Sequence, residues 1–288
     1  MRTLLAAAVV ALALASAPAH ARPVIGQYVA LGDSIAAGGD FTDITGPLGC
    51  LRSRQNYPSH IAAALGPTTF VDNTCTGAST AHLGTAQPLG IGNNPPQFDG
   101  LSTETDLVTV TIGLYDLDPL RTLGPCLAPS LLEMRLTPPI GNPCEQQFTS
   151  TGVDTLATRI DTEVRAAVAA ALQGIRSRAP HATIIALGYP AWLPPTTEQC
   201  GYWHGMARAD VPYLHRALRG LSTILVEEAA RVDAIGINTY DIPGHDFCQT
   251  HDARWVESLT TTEPTLPFQT NKLGARGLAD LVLKLLRD

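Results

Sequence analysis

The chain carries little charge and has almost no long apolar stretch. Only 16% of its 288 residues are Asp, Glu, Lys or Arg, and the net charge is -7. No basic patch forms, which argues against nucleic acid as a partner, because neutralising phosphates requires clustered Lys and Arg. The same balance gives no attraction to an anionic membrane surface. Past the N-terminus, no apolar run approaches the roughly 20 residues that span a bilayer, so no integral membrane segment is expected. There is no Cys-x-x-Cys pair, which weighs against a zinc site, and no metal is expected. No internal repeat, low-complexity tract or linker divides the chain. One domain is expected, long enough for a well-filled core.

What is present begins with an export pattern. Arg2 supplies charge, Leu4 to Ala15 an apolar core too short to anchor in a membrane, and Ala19-His20-Ala21 a small-x-small cleavage site. Residues 1–21 therefore read as a signal peptide, and 22–288 as the mature domain, secreted or held at the cell envelope. Cys50, Cys75, Cys126, Cys144, Cys200 and Cys248 make an even set, which in an oxidising compartment implies disulfides. Six cysteines permit fifteen pairings, and spacing alone does not choose among them. The pairs Cys50–Cys75, Cys126–Cys144 and Cys200–Cys248 are expected, because each closes loops flanking a strand end.

Short β-branched runs at 27–32, 68–74, 107–113, 183–189 and 235–242 alternate with helical patterns at 56–65, 154–178, 209–232 and 271–287. In the second of these, Leu156, Ile160, Val164 and Val168 recur at helical spacing. Such alternation implies an α/β fold whose parallel sheet is covered on both faces. Two segments interrupt it, the proline-rich stretch 117–150 and the aromatic-rich stretch 190–207, and both are expected to be long irregular loops.

In this kind of fold, chemistry collects beyond the C-terminal ends of the strands. The positions to inspect are Ser34, Thr76-Gly77-Ala78, Gly113 to Asp116, Gly188 to Trp192, and the loop after Ile242. Ser34 stands out. It follows the apolar run Tyr28 to Leu31 through Gly32-Asp33, and small residues come next. A serine in a tight strand-to-helix turn has its hydroxyl exposed and amide donors beside it, as a nucleophile requires. Asp33 suits a turn aspartate that accepts backbone amides, and Asp116 suits a brace. Tyr189, Trp192, Tyr202 and Trp203 fit either an acyl pocket or a packing patch. His60, His82, His181, His204 and His215 read as surface or packing residues, with His82 and His204 also possible pocket lining.

Three stretches together resemble the SGNH (GDSL-type) hydrolases, in particular secreted actinobacterial esterases and lipases. They are Ala30-Leu31-Gly32-Asp33-Ser34, Asn73-Thr74-Cys75-Thr76-Gly77-Ala78-Ser79-Thr80, and Thr105 to Gly113. Gly244-His245-Asp246-Phe247-Cys248 with Arg254-Trp255-Val256 is similar to a stretch ahead of that family's last block. The resemblance implies a three-layer α/β/α sandwich of the flavodoxin-like kind, with a five-stranded parallel sheet. It implies ester hydrolysis by a serine nucleophile, matched by Ser34, with no cofactor. Gly77 matches the glycine whose N–H joins the oxyanion hole, and the Ser34 N–H is another donor. A small-molecule or lipid ester is the implied substrate, and a monomer the expected state.

Two positions depart from the family pattern. Where it has Gly-x-Asn-Asp, this chain has Gly113-Leu114-Tyr115-Asp116, so a phenol replaces an amide donor. Where it has His-Pro-Asn ahead of a helix, this chain has Gln269-Thr270-Asn271, with Gly274 at the expected offset and Leu266 where an acid often stands. A neutral amide cannot take the serine proton. His245 and His251 lie after the last strand. His245 reads as structural, and His251 is the freer candidate for a substitute base. Two readings follow: an ester hydrolase with impaired machinery, or an inactive pseudoenzyme that binds an acyl or glycan ligand in the old cleft.

Overall fold

In the computed structural model, residues 25–133, 141–199 and 206–287 are described. Among the described residues nine strands occur: β1 (Gln27–Gly32), β2 (Ile44–Thr45), β3 (Arg52–Ser53), β4 (Thr69–Asp72), β5 (Gln87–Pro88), β6 (Asn93–Asn94), β7 (Leu107–Thr111), β8 (Thr183–Leu187) and β9 (Ile235–Ile237). The sheet order is β4-β1-β7-β8-β9, and every pairing in it is parallel. Counted in chain order, these five strands run 2-1-3-4-5. That is the flavodoxin-like order, whose ligand crevice opens where the winding reverses, beyond the ends of the first and third strands. Here those strands are β1 and β7, so topology alone directs attention to the residues after Gly32 and after Thr111.

The flanking helices are α1 (Ser34–Ala37), α2 (Tyr57–Leu65), α3 (Ala81–Gly84), α4 (Pro119–Glu133), α5 (Pro143–Thr149), α6 (Thr155–Arg159), α7 (Arg165–Arg178), α8 (Val211–Ala230) and α9 (Lys272–Leu285). α2 packs on α9 and α7 on α8. A π-helical turn at Ile160–Val164 joins α6 to α7, so the helical pattern read over 154–178 is one nearly continuous rod. Leu156, Ile160, Val164 and Val168 are all buried along it. β1 and β7 are buried along almost their whole length, because helices cover both faces of a parallel sheet.

Two expectations need correction. Much of the stretch 117–150 is helical rather than irregular: α4 and α5 occupy 119–133 and 143–149. Proline misleads here in part because it is well tolerated in the first turn of a helix, where its missing N–H has no partner to lose; Pro119 and Pro143 each open their helix, while Pro125 and Pro129 fall inside α4. The last strand is also shorter than the run at 235–242, ending at Ile237 before a 3₁₀ turn at Thr239–Asp241. The disulfides Cys50–Cys75 and Cys126–Cys144 are both present. The third expected pair involves Cys200, which lies outside the described residues, as do Tyr202, Trp203, His204 and the signal segment 1–21.

Candidate active site

Ser34 opens α1 directly beyond β1. Gly32 makes the turn possible: its φ is +140°, and a Cβ there would collide with the Thr111 carbonyl of β7. Asp33 is the N-cap, accepting the Ile35 N–H at 3.0 Å. Its other oxygen accepts the Tyr189 hydroxyl at 2.6 Å, and the Leu114 N–H donates to that same hydroxyl at 2.8 Å. A buried chain thus ties the turns after β1, β7 and β8 together. Burial lifts the Asp33 carboxyl to about 7, against the opposing bond from Tyr189. Asp33 is therefore the turn brace that the sequence indicates.

A further brace has no signature in the sequence. Gln97, fully buried in the 3₁₀ turn Gln97–Gly100, clamps Gly32 with both halves of its amide. Its Oε1 accepts the Gly32 N–H at 2.7 Å, and its Nε2 donates to the Gly32 carbonyl at 3.0 Å. Nothing in sequence spacing links positions 65 apart.

Ser34 is 3% exposed. As the first residue of α1 it has no i−4 carbonyl within its helix, and among the described residues no acceptor takes its N–H. Among the described residues, no acceptor takes the Gly77 N–H either. Gly77 follows β4 in a loop fixed by the Cys50–Cys75 disulfide, by the Thr76 N–H bonded to the Cys50 carbonyl (3.0 Å), and by Gln87 Nε2 donating to the Thr76 carbonyl (2.9 Å). Two backbone donors are thus left without partners in the loops after β1 and β4, the strands next to each other in the sheet.

Tyr115 lies in the turn after β7, half-buried; burial raises its pKa, against the opposing influence of the nearby Ser34 side chain, so the phenol stays protonated. The aromatic residue is therefore beside the nucleophile position rather than turned away from it. Asp116, next along, accepts from Thr80 N–H (3.1 Å) and Thr80 Oγ1 (2.6 Å), bracing the loop of β4 against that of β7. Burial raises its carboxyl and the Thr80 bonds oppose the rise. His82 binds Ser79 through Nδ1 and has its pKa lowered by burial, against the pull of Asp116.

Gln269 is 4% exposed, and a Cβ added at Gly38, the cap of α1, would lie 3.5 Å from its Oε1. No hydrogen bond reaches that Oε1 among the described residues. The neighbouring Thr270 hydroxyl donates to the Ile35 carbonyl of α1 at 3.4 Å. The loop before α9 thus packs on the helix that carries Ser34, as a loop presenting a base to that serine should. Its supports are extensive. Asn271 caps α9 by accepting the Gly274 N–H (2.9 Å) and donates to Glu257 (3.1 Å). Glu257, fully buried, pairs with Arg254 at 2.6 Å and accepts the Thr262 N–H at 2.8 Å. Burial pushes the Glu257 carboxyl up, but these bonds outweigh it and hold it below its ordinary value. Trp192 Nε1 donates to the Phe268 carbonyl at 2.7 Å, beside Gln269.

His251 is exposed in the turn after His245, and no hydrogen bond joins it to Ser34 among the described residues. His245 stacks on Trp255 (centroids 4.1 Å apart) and pairs through Nδ1 with the Ala253 carbonyl at 2.7 Å, a packing role. Tyr189 and Trp192 stack on each other at 5.3 Å and are buried, which makes them a packing patch rather than pocket lining. His215 likewise packs, against Tyr240.

The profile of the GDSL-like Lipase/Acylhydrolase family matches residues 30–266. That span ends before Gln269. Lipase 2 of Streptomyces coelicolor is 37% identical over 99% of this chain and 95% of its own length. Lipase 1 of the same organism is 26% identical over 94% and 92%. Among solved structures, phospholipase A1 from Streptomyces albidoflavus superposes with a TM-score of 0.70 at 23% identity, over 90% of this chain and 99% of that one. The extracellular lipase from Streptomyces rimosus gives 0.70 at 24% identity, over the same shares. These two structural likenesses speak to the fold.

Proposed function

The chain belongs to the GDSL-like lipase/acylhydrolase family, and from that premise we propose that it is an exported ester hydrolase with a weakened proton-transfer apparatus. The observation that carries this reading is Ser34 at the head of α1, with unpaired backbone N–H groups at Ser34 and Gly77. In the proposed reaction, Ser34 Oγ attacks the acyl carbonyl and its proton leaves to water. The carbonyl π electrons move onto oxygen, where the Ser34 and Gly77 amides stabilise the charge, with Tyr115 as a third donor. Collapse expels the alcohol, and water then hydrolyses the acyl-serine. With Gln269 in the base position, no side chain hydrogen-bonded to Ser34 takes the proton readily, so turnover is slow. His251 would serve as the base only if its exposed turn moved toward Ser34. Export is supported by the N-terminal pattern and by two disulfides, which suit an oxidising compartment.

The test is hydrolysis of p-nitrophenyl butyrate by the mature protein, together with labelling by a serine-directed phosphonate. Turnover and labelling that both vanish in Ser34→Ala and persist in His251→Ala support the reading. Labelling that fails in the wild type leaves the pseudoenzyme, a ligand-binding protein in the same cleft, as the better account.

A further inference from the structure

Two small antiparallel pairs, β2 with β3 and β5 with β6, lie outside the main sheet. The loop between β2 and β3 exposes Leu48, and the tight turn between β5 and β6 exposes Ile91; the two are 65% and 81% accessible, which sets them apart from the buried core. The loops touch, since a Cβ at Gly49 would sit 2.9 Å from Leu89 Cβ. Ile91 is flanked by Gly90 and Gly92, which offer it no side-chain cover. No Asp, Glu, Lys or Arg occurs in 44–51 or in 83–98. The exposed Asp43–Arg54 ion pair sits at the base of the β2–β3 pair, so only the two tips are free of charge; single exposed apolar side chains need no explanation, but two on touching uncharged loops do.

The two tips are continuous with the candidate site. Cys50, at the end of the Leu48 loop, is bridged to Cys75, and its carbonyl holds the Thr76 N–H; Gln87, at the base of the Ile91 turn, holds the Thr76 carbonyl. Thr76 is the neighbour of Gly77. A Cβ at Gly77 would lie 3.4 Å from Gln87 Nε2. Both exposed tips are therefore rigidly attached to the same loop that carries an unpaired oxyanion donor.

We propose that Leu48 and Ile91 form a docking platform for an uncharged or zwitterionic lipid surface, which sets the mouth of the Ser34 site on aggregated acyl esters. This rests on the ester-hydrolase reading. The lipid is the occupant favoured by the absence of charge, because segments without ions enter an apolar phase without desolvating any, and by the attachment to the catalytic loop. A second copy of the chain is the competing occupant.

The experiment is co-flotation of the mature Ser34→Ala protein with phosphatidylcholine vesicles containing triacylglycerol, so that binding is read without catalysis. The double variant Leu48→Ser/Ile91→Ser is expected to bind roughly 10- to 100-fold more weakly, a part of what burying two such side chains gives. Ile235→Thr, an exposed apolar residue at the start of β9 and so at the opposite edge of the sheet, should bind as the parent does. On the Ser34 background, the double variant should retain turnover of soluble p-nitrophenyl butyrate and lose turnover of emulsified tributyrin. Equal flotation of parent and double variant overturns the platform, whatever the soluble-ester assay gives. A parent that sediments as a dimer and a double variant that sediments as a monomer overturn it too, in favour of the second copy. If soluble-ester turnover is absent but flotation depends on Leu48 and Ile91, the hydrolase reading fails and the platform stands.

Discussion

The loop that presents Ser34 and the loop that presents Gln269 are built alike and carry different chemistry. Each has a fully buried polar side chain acting as a clamp: Gln97 on Gly32 in the first, Glu257 on Asn271 and Arg254 in the second. Each ends in an Asp or Asn helix cap, Asp33 for α1 and Asn271 for α9. On the proposed reading, the first loop carries the nucleophile, whereas the second keeps its supports and has the Gln269 amide in the place of a base. A buried pair such as Arg254–Glu257 is costly to maintain unless its bonds are complete, and here they are. If that reading holds, the change lies in the reactive group while the loop that carries it keeps its supports, and a single substitution should restore the base.

The sharpest way to break that comparison is Gln269→His. If the loop still aims its side chain at Ser34, restoring an imidazole should raise kcat/KM on p-nitrophenyl butyrate by roughly 10²–10⁴, the range of general-base catalysis. The gain should follow a pH profile set by an imidazole. No gain, with the variant folded, would mean that the two loops no longer share a site.

Next in size is removal of the second loop's clamp. Arg254→Met strands the buried Glu257 carboxylate and should destabilise the protein by about 3–5 kcal/mol, read as a lowered urea midpoint. An unchanged midpoint would show that the pair is not what holds this loop.

The nucleophile turn makes a pH prediction. Asp33 titrates at about 7 in the folded chain against a reference of 3.8. The folded state therefore binds this proton more tightly than the unfolded state does. The stability Asp33 contributes is complete below about pH 4 and is lost as pH rises through about 7. Asp33→Asn keeps a cap acceptor and removes the titration, so its urea midpoint should fall less than the wild type's between pH 4 and 8. Parallel curves would contradict a buried, uncharged Asp33 at low pH.

How far the sequence revealed these two loops follows from the range of the interactions. The strand run at 27–32, the turn at Ser34 and the cap-and-glycine spacing of Asn271 and Gly274 are local patterns, and each is found where the residues indicate. The Gln97 clamp joins a loop to a strand end 65 positions away, and a lone Gln has no local signature. The helices inside 117–150 were hidden by prolines that two of the helix starts absorb without loss. The apolar platform was equally obscure, because four two-residue strands leave no periodicity to detect.

The smallest expected effect concerns Tyr115, in the turn after β7 near the Ser34 side chain. Tyr115 is held protonated by burial, so it can donate to an oxyanion but cannot replace the base. Its phenol is longer than the amide of an asparagine, so its hydroxyl is placed less well than the donor whose loss costs roughly 10²–10³ in a known case. Tyr115→Phe should accordingly lower kcat by only about tenfold, with KM little changed, since the interaction forms with developing charge rather than with bound ester. The measurement is sharper on the Gln269→His background, where turnover is high enough to resolve a tenfold loss. A rise in kcat on losing the hydroxyl would mean instead that Tyr115 restrains Ser34, and that the middle of the site, like its far side, has moved away from hydrolysis.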